Sequence, residues 1–496
     1  MTQPMMTLGQ LLQPFSDIEL GSECAALAIQ GLSQDSRAVN PGHLFLARTG
    51  VSHKGIDFVQ SAVAEGAVAA IVNRAELAAA EPIKTAIPVI AVADVNRLIG
   101  PVAAQFYGNP STDMKMVGVT GTNGKTSCAH YIAQMLEYAG ETCGLIGTVG
   151  NGLLGKMTDA SHTTPDAISL QKMLAELKQQ GATAVVMEVS SHALDQHRVA
   201  GVEFDVAAFT NLSRDHLDYH GDMESYGAAK AQLFTCMGVP HRVINIDDDY
   251  GIRLAEIASG EPVLTFGETA EADVSANNVR LSADGIKADL STPWGTLGLD
   301  TGLIGRFNLS NLLLAISVCG ELGLKLEQIE SAVNLISAVP GRMQLVQRRL
   351  PLVVVDYAHT PDALEKALQA LTKHCQGNLW CVFGCGGDRD TGKRPEMARI
   401  AEHLSDRVVI TSDNPRGEDP QSIIDMVLAG ITEPDAVTAI TLREQAIAYA
   451  VAELKEQDIL LIAGKGHETY QEIKGVRMPF DDVAVANKAL ELRVVK

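Results

Sequence analysis

The sequence is short of aromatic residues, of basic residues and of long apolar runs, and these shortages exclude whole classes of protein. Aromatic residues make up 4% of the 496 positions, and 39 Lys and Arg stand against 60 Asp and Glu, which gives a formal net charge of −21. A nucleic-acid-binding protein needs a basic surface that neutralises phosphates, so a nucleic-acid partner is excluded. Nowhere do about 18 apolar residues follow one another, which excludes a membrane-spanning helix.

Paired cysteines and a targeting segment are also missing. The 8 cysteines form no C-x-x-C pair, so neither a zinc ribbon nor a disulfide framework is predicted. The segment 1–20 contains Asp17 and Glu19 and lacks the apolar stretch of a secretory signal. We therefore expect a cytoplasmic protein without a membrane partner. An apolar content of 46% indicates a folded chain, and the length indicates about three domains.

Breaks rich in glycine and proline divide the chain into three predicted α/β domains, residues 1–111, 112–338 and 339–496. The breaks are Gly108-Asn109-Pro110-Ser111 and Val339-Pro340-Gly341-Arg342. Apolar runs typical of buried strands alternate with helical patterns, which indicates mostly parallel sheets, of the doubly wound type in the third domain. Residues 273–303 instead show the short alternating strands of an antiparallel insertion.

A glycine-rich turn follows the predicted strand Lys115–Thr120 and precedes a helix predicted over 125–139. It reads Gly121-Thr122-Asn123-Gly124-Lys125-Thr126, which places backbone N–H groups and a helix N-terminus where they can bind phosphates. Lys125 would neutralise the β- and γ-phosphates, and the Thr126 hydroxyl would bind Mg²⁺. The match to the general P-loop is imperfect, because Val119 stands where that pattern has glycine. A plain tight turn is the alternative.

Two other segments of the middle domain carry groups suited to a metal. Glu188 ends a buried predicted strand, at the edge of a parallel sheet that faces a ligand, and is predicted to bind Mg²⁺; a salt bridge or cap is the alternative. His216 and His220 have the spacing of a zinc pair, but no third ligand has a suitable spacing. A loop that gives one ligand to a nucleotide-bound Mg²⁺ is therefore favoured for the segment 211–220.

Four polar loops follow strands of the third domain, and we expect them to line one crevice. They are Asp356–Pro361, Gly384–Asp390, Asp413–Arg416 and Gly464–Glu468. Arg389 and Arg416 are each able to bind a carboxylate through two parallel hydrogen bonds, with solvation at the surface as the alternative.

Together these motifs resemble those of the Mur ligase family. The resemblance rests on the segments Gly121–Thr126, Met187–His192, Thr210–Gly221, Asp356–Pro361, Gly386–Arg389 and Asp413–Arg416. It implies a small α/β UDP-binding domain, a central P-loop-type ATPase with a mostly parallel sheet, and a C-terminal Rossmann-like domain that binds an amino acid. The implied reaction uses ATP and Mg²⁺ to convert a carboxylate of a UDP-muramoyl dipeptide into an acyl phosphate, which an amine then attacks.

The resemblance also assigns roles to individual residues. Lys125, His216 and Lys230 are implied to be catalytic, and Lys230, whose local pattern indicates a solvated helix lysine, is implied to carry a carbamate. The implied metal ligands are Thr126, Glu188, His216 and Lys230. The implied nucleotide contacts outside the glycine-rich turn are Asn308, Arg342, Asp356 and His359. The implied contacts to the muramoyl dipeptide are Ser36, His53, Thr163, Thr164, Ser190, Gln196 and Arg198. The implied contacts to the amino acid are Arg389, Asp413, Asn414, Pro415, Arg416, Gly464 and Glu468.

Arg416 favours meso-2,6-diaminopimelate as the amino acid. Its guanidinium suits the second carboxylate of that substrate and would repel the side-chain ammonium of L-lysine. The implied acceptor is the D-glutamate carboxylate of UDP-N-acetylmuramoyl-L-alanyl-D-glutamate. Ligation of L-lysine and a folylpolyglutamate synthetase-like ligation are alternatives, as is a nucleotide-binding switch without transferase chemistry.

Overall fold

The computed structural model describes residues 6–16, 18–50, 53–80, 85–160, 162–258, 260, 262–282, 285–347, 350–433 and 437–494. The chain forms two compact units, one of residues 1–265 and 317–324 and the other of residues 266–316 and 325–496. Within the part that the structure describes, no helix is long and apolar enough to cross a membrane. The boundaries of the three predicted domains stay a prediction.

The first unit begins with a small parallel sheet. Its strands, after the antiparallel pair β1 (Met6–Thr7) and β2 (Ala28–Ile29), are β3 (Gly31–Ser33), β4 (His43–Leu46), β5 (Ala69–Asn73) and β6 (Val89–Val92), in that order across the sheet. The helices are α1 (Leu8–Leu12), α2 (Ser22–Ala25), α3 (Val59–Ala64), α4 (Arg74–Ala79) and α5 (Val95–Phe106). The apolar runs of residues 67–72 and 87–92 predict buried strands and the pattern of residues 95–107 predicts a helix, and the structure confirms all three with small shifts at their ends.

A second sheet of the first unit carries the glycine-rich turn. Its strands are β7 (Lys115–Thr120), β8 (Cys143–Gly147), β9 (Gly150–Leu153), β10 (Lys156–Thr158), β11 (Ala184–Glu188), β12 (Val206–Phe209) and β13 (His241–Asn245). The helices are α6 (Lys125–Tyr138), α7 (Ala167–Gln179), α8 (Ser191–Asp195), α9 (Leu217–His220), α10 (Met223–Thr235) and α11 (Asp249–Ile257). The spatial order β8-β11-β7-β12-β13 is parallel throughout, with β9 and β10 as an antiparallel edge. Nearly all residues of these five parallel strands are buried, as their uninterrupted apolar runs indicate.

The second unit contains the predicted antiparallel insertion. The strand β14 (Val263–Gly267) crosses the division between the units, and β15 (Val274–Ser282), β16 (Gly285–Thr292) and β17 (Gly295–Thr301) form an antiparallel meander. The insertion predicted over 273–303 is confirmed. The helix α12 (Arg306–Glu321), which also crosses the division, and the helix α13 (Leu326–Val333) follow.

A six-stranded sheet forms the rest of the second unit. Its strands are β18 (Gln344–Gln347), β19 (Leu352–Asp356), β20 (Leu379–Phe383), β21 (Arg407–Ile410), β22 (Val437–Ala439) and β23 (Ile459–Ala463), in the order β18-β19-β23-β20-β21-β22, with only β18 antiparallel. The helices are α14 (Pro361–Thr372), α15 (Lys393–Leu404), α16 (Pro420–Leu428), α17 (Arg443–Glu453) and α18 (Asp482–Val494), and β24 (Tyr470–Ile473) and β25 (Val476–Pro479) form a separate hairpin.

Alternate residues of this sheet enter two different cores. Leu352 and Val354 pack with residues of α14, α15 and α16, whereas Val353 and Val355 pack with residues of α17 and α18. Because successive side chains of a strand point to opposite faces, helices cover both faces, as in a doubly wound fold. The α/β class with mostly parallel sheets is therefore confirmed, and the loops that follow the parallel strands lie at one end of the sheet.

Candidate active site

The glycine-rich turn after β7 is held in place by the segment that follows β12. The Thr210 hydroxyl donates to the carbonyl oxygen of Asn123 at 2.6 Å, and the side-chain oxygen of Asn211 accepts from the backbone N–H of Asn123 at 3.1 Å. Gly121 has a φ of +145°, and a Cβ there would lie 1.9 Å from Thr210 Oγ1. Only glycine fits this close approach, so the turn keeps its backbone N–H groups in a fixed arrangement before the N-terminus of α6.

Two lysines converge on this turn. Lys125 Nζ donates to the carbonyl oxygens of Gly121 at 2.9 Å and Thr122 at 2.8 Å, and Lys230 Nζ donates to Gly121 at 2.7 Å. Lys230 is 1% exposed. Its burial, together with the nearby charge of Lys125, lowers the pKa of Lys230 well below its usual value. The local pattern was therefore misleading, since it indicates a solvated lysine where the structure buries one beside the glycine-rich turn.

Glu188 lies at the other side of the turn. Its strand pairs with β7 so that Glu188 is opposite Val119, and both carboxylate oxygens lie 3.0 Å from the Thr126 hydroxyl. The backbone N–H of Thr148 donates to the same carboxylate at 2.8 Å. Thr126 and Glu188 thus bring together the oxygen donors that Mg²⁺ prefers, so these residues fit the ion. Among the described residues no group of three or more His, Cys, Asp or Glu is arranged to hold a metal.

His216 lies in a cluster of aromatic and histidine rings beside the turn. It has a φ of +53° and precedes α9. Its ring centroid lies 4.9 Å from that of His192 and 6.1 Å from that of Tyr226. The hydroxyl of Tyr226 is 3.2 Å from the Thr122 hydroxyl, which connects the cluster to the glycine-rich turn. Tyr226 was not identified as a site residue, although it precedes Lys230 by one helical turn on α10.

The residues predicted to contact the muramoyl dipeptide form two groups within the first unit. Ser36 and His53 line a cavity of about 920 Å³, together with Arg48. In the other group, Arg198 donates to the carbonyl oxygen of Thr164 at 3.0 Å and to the side-chain oxygen of Gln196 at 2.8 Å. Arg48 donates to the same oxygen of Gln196 at 3.1 Å and so connects the two groups. The sequence motifs did not single out Arg48.

Thr163 and Ser190 lie between this second group and Glu188. The hydroxyls of Thr148 and Thr163 are 3.1 Å apart, and the Thr164 hydroxyl donates to the carbonyl oxygen of Glu188 at 2.9 Å. The backbone N–H of Ser190 donates to the Thr164 hydroxyl at 3.1 Å. The predicted dipeptide contacts are thereby continuous with the predicted metal ligand.

Four residues predicted to contact the nucleotide lie in the second unit. The Arg342 guanidinium lies 4.7 Å above the ring of Tyr357, and the His359 ring lies 4.6 Å from the same ring. The carboxylate of Asp356 accepts from the backbone N–H of Met343 at 2.7 Å. These three therefore lie together at the end of β19. The fourth, on α12, is Asn308, a buried residue whose side chain donates to the carbonyl oxygen of Ile304 at 2.8 Å.

The loops after β21 and β23 form a polar pocket around Lys465. Lys465 Nζ donates to Asn414 Oδ1 and to Glu468 Oε2, both at 3.0 Å, and lies 3.8 Å from Asp413. Burial raises the pKa of Asp413, against the opposing charges of Arg443 and Lys465. The approach of the two loops requires glycine at position 464, where a Cβ would lie 2.5 Å from Asp413 Oδ2.

Arg416 and Arg389 flank the loop after β20. The hairpin β24–β25 holds Arg416 at a φ of +50°, because its backbone N–H donates to the carbonyl oxygen of Glu472 at 3.0 Å. Arg416 Nη1 donates to the carbonyl oxygen of Gly387 at 2.7 Å, and a Cβ on Gly387 would lie 2.0 Å from the carbonyl oxygen of Pro415. A Cβ on Gly386 would lie 3.0 Å from Arg416 Nη1 and 3.9 Å from Arg389 Cγ.

The four loops predicted to share a crevice do lie together. Besides the contacts among the loops after β20, β21 and β23, the rings of Tyr357 and His467 are 5.1 Å apart, which adds the loop after β19. Arg389 is exposed and Arg416 is partly buried. Lys465 was not predicted, although its place between two glycines in the polar loop was a signal for it.

Three family models match successive parts of this chain. They are described as Mur ligase family, catalytic domain, over residues 28–107; Mur ligase middle domain, over residues 119–319; and Mur ligase, glutamate ligase domain, over residues 341–466. The chain belongs to the Mur ligase family.

The individual relatives described here carry the name of one enzyme activity. The chain is 47% identical to the UDP-N-acetylmuramoyl-L-alanyl-D-glutamate–2,6-diaminopimelate ligase of Coxiella burnetii, over 97% of this chain and 100% of that protein. It is 50% identical to the protein of the same name from Pseudomonas aeruginosa, over 94% and 95% of the two chains. A solved structure described under this name superimposes with a TM-score of 0.75 at 36% identity and covers 99% of this chain and 100% of that chain.

Proposed function

We propose that this chain joins meso-2,6-diaminopimelate to the D-glutamate carboxylate of UDP-N-acetylmuramoyl-L-alanyl-D-glutamate, at the expense of ATP. In this proposal the enzyme is a monomer, works in the cytoplasm and supplies precursors of peptidoglycan. Its main structural support is the presence in one chain of a phosphate-binding turn and of a pocket flanked by two arginines. The names of the nearly full-length relatives support the same reaction.

The first step activates the acceptor carboxylate, which is by itself a poor electrophile. A carboxylate oxygen bonds to the γ-phosphorus of ATP, and the bond from that phosphorus to the β,γ-bridging oxygen breaks. ADP departs, and the acceptor carboxylate has become an acyl phosphate. The backbone of residues 121–126 and the ammonium of Lys125 would hold the phosphates and stabilise the charge that moves onto ADP. Thr126, Glu188 and His216 would hold Mg²⁺, which when bound offsets the negative charge of the triphosphate.

We infer that Lys230 carries a carbamate. Burial lowers the pKa of the Lys230 amine and so favours its neutral form, which is the form that adds to carbon dioxide. The carbamate would replace a second positive charge beside Lys125 by a negative one. Its oxygens would also add to the ligands that Thr126 and Glu188 offer to the ion.

The second step forms the amide. The neutral amine of the amino acid attacks the acyl carbon, the carbon–oxygen bond to phosphate breaks, and the amine loses a proton. Arg416 and Arg389 would bind the distant carboxylate of diaminopimelate, and Glu468 with Asp413 would bind an ammonium. A guanidinium at this position repels the side-chain ammonium of L-lysine, so diaminopimelate is the preferred substrate.

Product analysis tests the proposal. With ATP, Mg²⁺, the UDP-muramoyl dipeptide and meso-diaminopimelate, we expect mass spectrometry to detect the muramyl tripeptide, with phosphate released in equal amount. L-Lysine in place of diaminopimelate should yield little product, and a folate with glutamate should yield none. Hydrolysis of ATP without a new amide would contradict the proposal and favour a nucleotide-dependent switch, and product from the folate would favour a folylpolyglutamate synthetase-like enzyme.

A further inference from the structure

Lys465 is a charged side chain to which the proposed reaction gives no role. The residue is 0% exposed. Removal of an ammonium from water costs free energy unless hydrogen bonds and opposite charges replace the lost hydration. Lys465 has such partners in Asn414 and Glu468, both at 3.0 Å, and in Asp413 at 3.8 Å. The ammonium therefore connects the loop after β21 to the loop after β23.

Lys465 determines the direction of the Asn414 side-chain amide. Asn414 Oδ1 accepts from Lys465 Nζ at 3.0 Å and from the backbone N–H of Glu472 at 2.9 Å. Two donors at one atom require the amide oxygen there rather than the NH₂ group. Asn414 Nδ2 is thereby directed to Glu468 Oε2, to which it donates at 2.8 Å.

The same arrangement distinguishes the two oxygens of Glu468. Lys465 Nζ and Asn414 Nδ2 both donate to Oε2. In the described ranges of the chain, no donor is hydrogen-bonded to Oε1. The Glu468 side chain is 19% exposed to solvent. One carboxylate oxygen is thus fixed by the protein, while the other is available to a ligand of the pocket.

A buried ion pair keeps the backbone before Lys465 in place. Arg443 donates to both carboxylate oxygens of Asp482 at 2.7 Å, and both side chains are 0% exposed. The same guanidinium donates to the carbonyl oxygen of Ala463 at 2.9 Å, at the end of β23. Lys465 follows this anchored strand end by two residues, so its ammonium is held by a rigid element.

We propose that Lys465 is a positioning residue for the amino-acid substrate: it holds Glu468 by Oε2 so that Oε1 faces the amino group of the incoming diamino acid. The inference rests on the proposed function. Without the ammonium, the Glu468 carboxylate and the Asn414 amide are free to rotate, and the charges of Asp413 and Glu468 lose their shared counter-charge. The substrate ammonium then meets a carboxylate that has to be ordered on binding, which weakens binding of the amine but not of ATP.

The test separates the KM of the amine from the KM values of the other two substrates. We expect Lys465→Met to raise the KM for meso-diaminopimelate by roughly tenfold or more, with the KM values for ATP and the UDP-muramoyl dipeptide within about twofold of wild type. Lys465→Gln keeps an N–H donor and should give a smaller rise. Lys488→Met is the matched control, because Lys488 is exposed and pairs with the exposed Glu444 at 3.1 Å.

A double substitution tests whether Lys465 acts through Glu468. If it does, Lys465→Met with Glu468→Gln raises the KM of the amine no further than the larger single change. Unchanged amine KM in both Lys465 variants, equal rises for all three substrates, or additive effects would each overturn the inference. If Lys465→Met does not fold, the KM of Lys465→Gln for meso-diaminopimelate tests the inference instead. Wild-type protein that forms no tripeptide contradicts the proposed function, whereas an active wild type with unaffected Lys465 variants contradicts only this inference.

Discussion

Replacement of Arg416 by alanine tests the preference for diaminopimelate. Arg416 Nη1 is bonded to the carbonyl oxygen of Gly387 at 2.7 Å, and Nε lies 3.9 Å from a carboxylate oxygen of Glu472. In the described part of the chain Nη2 has no acceptor, so it is the nitrogen that a substrate carboxylate would meet. Loss of a hydrogen bond between charged groups costs about 1.5–3 kcal/mol, which corresponds to a rise in the KM for meso-diaminopimelate of about 10- to 150-fold.

The assay is phosphate release at saturating ATP and UDP-muramoyl dipeptide, with meso-diaminopimelate or L-lysine as the amine. Arg416→Ala also removes the charge that repels the lysine ammonium, so the preference for diaminopimelate over lysine should fall. Arg416→Lys keeps the charge without the planar fork and should restore the KM only in part. A folded Arg416→Ala protein with a KM for meso-diaminopimelate within about twofold of wild type would refute the assignment of this residue to the carboxylate.

Three other substitutions test the buried charges of Glu188, Lys230 and Arg443. Glu188→Gln should lower kcat by at least about tenfold while fluorescent nucleotide still binds, and unchanged kcat would exclude a role at the metal. Lys230→Arg keeps the positive charge but forms no carbamate, so we expect loss of phosphate release; activity near that of wild type would exclude the carbamate. Arg443→Met leaves Asp482 buried without a partner and should lower the free energy of unfolding of the second unit by about 3–5 kcal/mol, whereas Arg443→Met with Asp482→Leu should recover most of it. Both tryptophans of the chain lie in that unit, so their fluorescence during urea unfolding measures it.

The parts of the fold that the sequence predicted well are those in which the local signal and the tertiary structure agree. Strands buried on both faces are continuous apolar runs, which made β7, β11, β19 and β23 recognisable. The limits of α6 were marked by Gly124 and Gly140, which have φ values of +85° and +97° in the structure. The position of residues 121–126 between β7 and α6 and that of Glu188 at the end of β11 were therefore predicted correctly, while their roles stay a prediction.

The remainder of the site depends on contacts between distant parts of the chain. The helical pattern around Lys230 gives no sign that it is buried, because its partner Gly121 lies 109 positions away. Lys465 meets Asn414 across 51 positions, and only the strand order β23-β20-β21 brings the two loops together. A single sequence does not reveal that order, since several strand orders satisfy the same alternation of strands and helices.

Strand register explains how each unit places its functional side chains without long loops. In the first unit Glu188 pairs with Val119, and Phe209 pairs with Thr120, so the ends of β11 and β12 flank the glycine-rich turn that follows β7. In the second unit Asp356 pairs with Ala463, directly before the loop of Lys465. Because a shift of one residue would turn every side chain of a strand to the opposite face, the buried cores that fix the register also fix these distances. The buried ammonium groups of Lys230 and Lys465 are tolerated because the groups that accept from them, Gly121 and Asn414, are held in loops that follow strands of these sheets.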